Sequence, residues 1–375
     1  MMFWFSFVIL MYIYFGYPLL VGMLARLVGR EPRREPILPA VSLVIPAHNE
    51  EAYLEEKLRN SLSLDYPRDR LEIVVASDGS TDQTNAIAQR FRAQGVRLLA
   101  LPAHRGKARL LNAVVPMVRS EIIVFSDVSS ELARDAVRLL MRPLADPRVG
   151  CVCGLYRAAP TMDLRSQGEG LYWRYETWLK RQESRLHSIL GAHGAFYAIR
   201  RRLFRPLDDG SINDDYLIPM RILGEGFRAI YEPSAVAWER EAVSVKGEFA
   251  RRRRIAMGNC QQIGALRALL NPARGWVAWC FFSHKVLRTF APLLLLALLI
   301  SSAWLRQPWV TGLLILQGGF YASALAGYFC QQRGRRVRWL SPSLYFCLGN
   351  LAMLDGLLRF LRHPQQPAWE RARGD

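Results

Sequence analysis

Hydrophobic positions come in two textures along this chain. Between residues 40 and 264 they form short β-branched runs separated by helix-period segments; outside those limits they merge into long, nearly uncharged blocks. Val41-Ser42-Leu43-Val44-Ile45 and Leu71-Glu72-Ile73-Val74-Val75-Ala76 are the first two short runs, and residues 53–64 between them repeat apolar positions at helical spacing. Strand, helix and strand in that order predict a βαβ unit with parallel strands. The pattern continues with a helix over 83–94 closed by Gly95, a strand over 96–101, a helix over 106–118 despite Pro116, a strand over 122–125, a helix over 132–141 and a strand over 149–155. A long helix over 169–190 follows, then a turn through 191–198 into a strand and a helix from 213 to 223. Strands at 229–231 and 235–238 and a helix over 244–270 complete the region. This is the pattern of an α/β domain with a mostly parallel sheet.

The long blocks predict membrane helices. Residues 3–24 suffice for a bilayer core, which takes about 20 residues. A cleaved signal peptide would end in small residues, whereas Arg26, Arg30, Arg33 and Arg34 stand there, so a retained anchor is expected. Residues 292–305, 309–329 and 344–360 are further blocks, and 275–288, interrupted by His284, Lys285 and Arg288, suits an interfacial helix. The expected division is an N-terminal transmembrane helix over 1–30, a globular domain over 40–264, an interfacial amphipathic helix over 265–290 and transmembrane helices over 291–363.

The net charge of +18 gathers beside these blocks, at 26–34, 251–254 and 331–338. Such flanks follow the positive-inside bias, which places the domain on the cytoplasmic side of an inner or plasma membrane. The charge therefore points to membrane lipids rather than nucleic acid. Two rules conflict at the C-terminus: three spans after the domain would carry it across, while Arg359, Arg362, Arg371 and Arg373 argue for the domain's side. The six cysteines show no Cys-x-x-Cys spacing. They are expected to be reduced core residues, with Cys151 and Cys153 on opposite faces of a strand.

Candidate chemistry lies where strands end. Ligands of open parallel sheets bind beyond the strand carboxyl ends, and acidic residues follow three of these runs: Asp78, Asp127 and the pair Asp214-Asp215. Any one of them could be a turn or cap residue; three on one sheet edge suggest a site. A carboxylate at Asp78 could accept from a ribose or base, Asp127 could hold a hard divalent cation, and Asp215 at a helix start could take a hydroxyl proton. The arginines at 251–254 read either as a membrane-flanking run or as a diphosphate clamp. Arg105-Gly106-Lys107 lacks the upstream glycine and following Ser/Thr of a triphosphatase loop. Glu169, Glu176 and Glu183 read as a polar helix stripe, and His193, between small residues, is the one histidine singled out.

Val-Ile-Pro-Ala-His-Asn-Glu-Glu (44–51), Asp-Tyr-Pro (65–67), Ser-Asp-Gly-Ser-Thr-Asp-Gln-Thr (77–84), Gly-Lys-Ala-Arg-Leu-Leu-Asn (106–112), Val-Phe-Ser-Asp-Val-Ser (124–129), the 191–201 segment and Asn-Asp-Asp-Tyr (213–216) together resemble membrane-bound family 2 glycosyltransferases, the group of cellulose, hyaluronan and poly-N-acetylglucosamine synthases. The resemblance implies a Rossmann-like GT-A fold and inverting, Mg²⁺- or Mn²⁺-dependent transfer from a nucleoside-diphosphate sugar, a UDP-sugar foremost, to a lipid-linked or glycan acceptor. It implies base and ribose contacts at Pro46, Ala47, Glu50 and Asp78, with Lys107 in the nucleotide pocket. It also implies a metal at Asp127, a catalytic base at Asp215 beside Asp214, and Arg251 and Arg254 in the Gln-x-x-Arg-Trp position. Gly191, His193 and Gly194 fall on the acceptor side. No oligomeric state follows. Two departures stand out: Ser129 replaces the second metal aspartate, and 251–255 lacks the Gln and Trp of processive enzymes. A processive synthase that translocates its polymer through the membrane helices, and a non-catalytic sugar-nucleotide-binding scaffold, are the alternatives.

Overall fold

A computed structural model describes residues 1–158, 167–239, 245–305, 307–335 and 337–362. Ser244, Arg336, His363, Arg371, Arg373 and the side chain of Glu169 lie outside the described residues. Eight strands are present: β1 (Val41–Ala47), β2 (Leu71–Asp78), β3 (Val96–Leu101), β4 (Ile122–Phe125), β5 (Ser130–Leu132), β6 (Val149–Ala158), β7 (Tyr197–Arg200) and β8 (Arg228–Glu239). They form one sheet in the order β3-β2-β1-β4-β7-β6-β8-β5. β1 runs parallel to β2 and β4, β2 to β3, and β6 to β8; β7 is antiparallel to β4 and β6, and β5 to β8. The fold is a mostly parallel mixed sheet of Rossmann-like, GT-A type.

Alternation along each strand divides the core into two layers. Leu43, Ile45, Ile73 and Val75 face α2 (Glu51–Leu62), α3 (Thr84–Arg90) and α5 (Ala136–Met141). Val44, Val74, Ile123 and Phe125 face the other way, with the end of α1 (Met2–Leu27), α4 (Lys107–Val114), α6 (Gln167–Leu186) and α7 (Asp214–Gly224). Both faces are covered, which is why these strands read as continuous apolar runs. Cys151 and Cys153 lie together in the second layer while Val152 lies in the first. The expectation of opposite faces is corrected: residues two apart on a strand share a face.

Two local elements differ from the sequence pattern. The helix expected over 132–141 starts only at Ala136, because Asn60 captures the Leu132 backbone through both its amide groups (2.8 and 2.9 Å), leaving Ser130–Leu132 to pair with β8. The two late strands are one, and a register shift opposite Glu232 and Val236 absorbs Pro233, which has no N–H to give a ladder.

The helix α8 (Val245–Ala265) leads out of the domain. After it the chain passes through short turns to α9 (Trp276–Thr289) and α10 (Ala291–Trp304), which meet at an angle of 58° beside Pro292. Residues 276–289 of the expected interfacial helix form the first helix of this bent pair. α11 (Pro308–Gln332) and α12 (Ser341–Arg362) follow. Among the described residues three helices are long and apolar enough to cross a membrane, or up to four if the bent pair is one span. Polar bonds tie this part to the domain: Tyr17 Oη donates to Glu183 Oε1 (2.6 Å), His284 Nδ1 meets the same oxygen (2.6 Å), and Arg288 reaches Glu176 (2.5 Å).

The second half of α12 lies on α8. A Cβ at Gly356 would stand 2.7 Å from the Arg253 carbonyl, and Asp355 pairs with both Arg253 (3.5 Å) and Arg359 (3.1 Å). Arg359 therefore lies beside the arginine run of α8.

Candidate active site

The ends of β1 and β2 carry the first group of candidate residues. Pro46 and Ala47 are buried and sit opposite Ala76 and Ser77, so what they offer a ligand is backbone. Glu50 is buried at the start of α2, its N–H donating to Thr84 Oγ1 (2.7 Å). The Asp78 carboxylate is 0% exposed and both oxygens are engaged: Oδ1 takes the Arg105 N–H (2.9 Å), Oδ2 the Gly106 N–H (2.7 Å), and His104 Nδ1 lies 2.9 Å from Oδ2. In this structure Asp78 is a clamp on the turn that precedes Lys107. Gly106 adopts φ +88°, open to glycine, and delivers Lys107 as the first residue of α4.

Lys107 leads to the second group. Its ammonium lies 3.3 Å from Asp127 Oδ1 and 3.3 Å from Asp214 Oδ2. Asp127 follows β4, and Asp214 and Asp215 form the first turn of α7, where the helix dipole favours negative charge. Asp215 Oδ2 accepts the Gly194 N–H at 2.8 Å. A Cβ on Gly194 would stand 3.3 Å from Asp127 Oδ2 and 3.3 Å from Asp215 Oδ2, so the two carboxylates meet over Gly194, where a side chain would be a tight fit. Asp127, Asp214, Asp215, Lys107 and Gly194, far apart in sequence, share one corner of the domain.

Why Asp215 is held so firmly follows from Pro219. A proline within a helix has no N–H for the carbonyl four residues earlier. The freed carbonyl of Asp215 instead accepts the Ala192 N–H (2.8 Å), so main chain and side chain both bind the 191–195 turn. Gly191 in that turn adopts φ +103°, with Tyr216 Cδ2 2.6 Å from any Cβ placed there. Gly191→Ala is expected to cost about 1–3 kcal/mol, the scale of such backbone strain, read as a fall in Tm on thermal unfolding.

The charges interact. Burial, then the neighbouring Asp214 carboxylate, pushes the Asp215 carboxyl up to about 6. Burial also acts to raise Asp127, but Lys107, by its charge and its hydrogen bond, and to a smaller extent Lys57 reverse this and hold it below the ordinary carboxylate value. Half-buried His193 is pushed down to about 3 by desolvation and by the charges of Lys180 and Arg251. Its neutral ring stacks on Tyr156 (centroids 4.0 Å, 20° between planes), whose hydroxyl donates to Glu239.

The arginine run divides by face. Arg251 lies close enough for its charge to act on Tyr156 and His193, and it pairs with Glu248 (2.7 Å). Arg252 also takes Glu248 (2.5 Å), and Arg253 turns to α12. Arg254 is half-buried one turn beyond Arg251. Arg251 is the arginine whose charge these interactions carry toward the Asp127–Asp215 corner.

Several side chains support the site, and of these only Asn213 falls in a motif read from the sequence. Asn213 precedes Asp214; its amide donates to the Ile255 carbonyl (3.1 Å), its own carbonyl accepts from Gln262 (2.8 Å), and Gly258 leaves room for it. The arginine helix α8 thus seats the start of α7. Lys57, Pro219 and Tyr156 are the others.

The fold of the domain is the GT-A type of glycosyltransferases. Residues 42–207 match the family described as Glycosyl transferase family 2. A mannosyltransferase from Pyrobaculum calidifontis, solved with GDP-Man and Mn²⁺, is 25% identical, with 96% of this chain and 99% of that one covered at a TM-score of 0.73. The probable glycosyltransferase YdaM of Bacillus subtilis is 31% identical over 61% of this chain and 57% of its own length. The beta-monoglucosyldiacylglycerol synthase of Synechocystis is 24% identical over 75% of this chain and 61% of its own. The chain thus spans 57 and 61% of these two curated relatives.

Proposed function

We propose that the protein moves a sugar from a nucleoside-diphosphate donor, a UDP-sugar first among candidates, to a lipid or glycan acceptor at the cytosolic membrane face, with inversion at the sugar C1. The observation that carries this reading is the gathering of Lys107, Asp127, Asp214 and Asp215 around Gly194. Asp215 takes the proton of the acceptor hydroxyl, and Asp214 orients Lys107. Lys107 and Arg251 offset charge that develops on the departing diphosphate. Pro46, Ala47 and Glu50 border the base and ribose, while Asp78 acts by holding the turn before Lys107. Gly191, His193 and Gly194 form the acceptor wall.

Among the described residues no three His, Cys, Asp or Glu side chains converge on one cation position, so a divalent ion here would rest on Asp127 and on the diphosphate itself. Asp127 offers hard oxygen ligands, keeps 43% of its side chain exposed, and its Oδ1 already draws the Lys107 ammonium. Asp127 would hold Mg²⁺ or Mn²⁺, with Ser129 contributing no carboxylate. When bound, such an ion supplies further charge stabilisation to the diphosphate.

A general base works deprotonated, so transfer falls as pH drops through the Asp215 value. With that value near 6, kcat/KM, which reports free enzyme, is expected to lose activity tenfold per unit below it. An acid limb set at the ordinary aspartate value would contradict this.

The purified full chain in lipid vesicles, given radiolabelled UDP- and GDP-sugars, tests the reading. Label passing into lipid or glycan supports it; no transfer from any donor, with nucleotide bound, would favour a scaffold. The absence of Gln and Trp at 251–255 favours single transfer over polymerisation, and product length on a sizing gel separates the two.

A further inference from the structure

Lys57 is a lysine inside the core. It is 3% exposed, although burying an ammonium is costly unless it is paired and hydrogen-bonded. From α2 its Nζ donates to Ser126 Oγ (2.6 Å) and to the Ser130 carbonyl (2.6 Å). These two atoms bracket the segment that carries Asp127. Ser126 is 0% exposed, and its hydroxyl donates onward to the Ala195 carbonyl (2.9 Å). One residue before Ala195, the Gly194 N–H holds Asp215 Oδ2. A hydroxyl has a single proton; with the ammonium donating to its oxygen, that proton is committed to Ala195. The chain Lys57–Ser126–Ala195 therefore joins the Asp127 segment to the turn that fixes Asp215.

We propose that Lys57 and Ser126 are positioning residues, a buried brace that sets the Asp127 and Asp215 carboxylates at the spacing required by a sugar diphosphate and its divalent cation. The inference rests on the functional reading above. Ser126 acts through the two segments it joins, and Lys57 acts through them and also by its charge on Asp127. Asn60, one helical turn along α2, also bonds across to the sheet, but to Leu132 and not to the Asp127 segment. It separates loss of stability from loss of position.

The test uses the full chain in lipid vesicles and follows Mn²⁺ by the loss of its free-ion paramagnetic resonance signal, with GDP and with UDP in separate titrations. Ser126→Ala and Lys57→Met are expected to weaken Mn²⁺ binding about 10–100-fold, the usual cost of removing an outer support of a metal site. Both should lower kcat by a larger factor than they raise donor KM, because Asp215 is displaced as well. Lys57→Arg should recover part of the Mn²⁺ affinity. Asn60→Ala should lower Tm and leave the Mn²⁺ constant unchanged. A folded Ser126→Ala variant with wild-type Mn²⁺ affinity would overturn the brace, as would an equal loss in Asn60→Ala. If Lys57→Met does not fold, Ser126→Ala and Lys57→Arg decide. Wild-type protein that takes up no Mn²⁺ with either nucleotide would overturn the reading of the site itself.

Discussion

Asp215→Asn is expected to lower kcat by about 10²–10⁴-fold, the range of a lost general base, while donor binding persists. The amide keeps an oxygen for the Gly194 N–H (2.8 Å) and leaves the Asp215 carbonyl on Ala192 undisturbed, so the 191–195 turn should stay in place. What the substitution removes is the capacity to accept a proton. It also removes one of three carboxylates near Lys107, so anionic donor binding should hold or tighten. Titration of nucleotide into the variant and a single-turnover assay separate the two effects. Loss of binding together with turnover would make Asp215 a structural residue.

Asp127→Asn carries the second large effect. The amide keeps one neutral oxygen, but the site loses the carboxylate charge that would hold a cation opposite Lys107. Transfer is expected to fall by about 10–100-fold or more, as for altered metal sites, and added Mn²⁺ should restore only part of it. Chelation of wild-type protein should reproduce the loss, and readdition of Mg²⁺ or Mn²⁺ should reverse it. Undiminished transfer in excess chelator would remove the cation from the scheme. In the variant Lys107 retains Asp214 (3.3 Å), which keeps α4 and α7 joined. The fold should therefore survive, and Tm is the control.

The parts legible in the sequence are those written locally. β1, β2 and β4 announce themselves because strands buried on both faces are short runs of Val, Ile and Leu. Asp127, Asp214 and Asp215 stand out because polar residues at strand and helix ends have few other reasons to cluster. The parts that stayed hidden depend on distant contacts. β5 pairs with β8, and its last residue, Leu132, is bonded by Asn60, 72 residues away. Lys57 reads as an ordinary polar position on an amphipathic helix until Ser126 and Ser130 arrive above it. Pro219 looks like a defect in α7, and its use becomes visible only with Ala192 alongside. Asp78 matched the motif in sequence, but the 104–106 turn folds onto it and claims both oxygens.

The bond from Tyr17 to Glu183, with His284 on the same oxygen, makes the leading segment inseparable from the rest. Trimming the chain ahead of Arg30 to obtain a water-soluble fragment would strip the phenol from a carboxyl sealed in an oily seam and bare the flank where Tyr17, Val21 and Ala25 now nestle. Such a fragment should emerge in the void volume of a sizing column, and handling the intact polypeptide in detergent is the practical route to its chemistry.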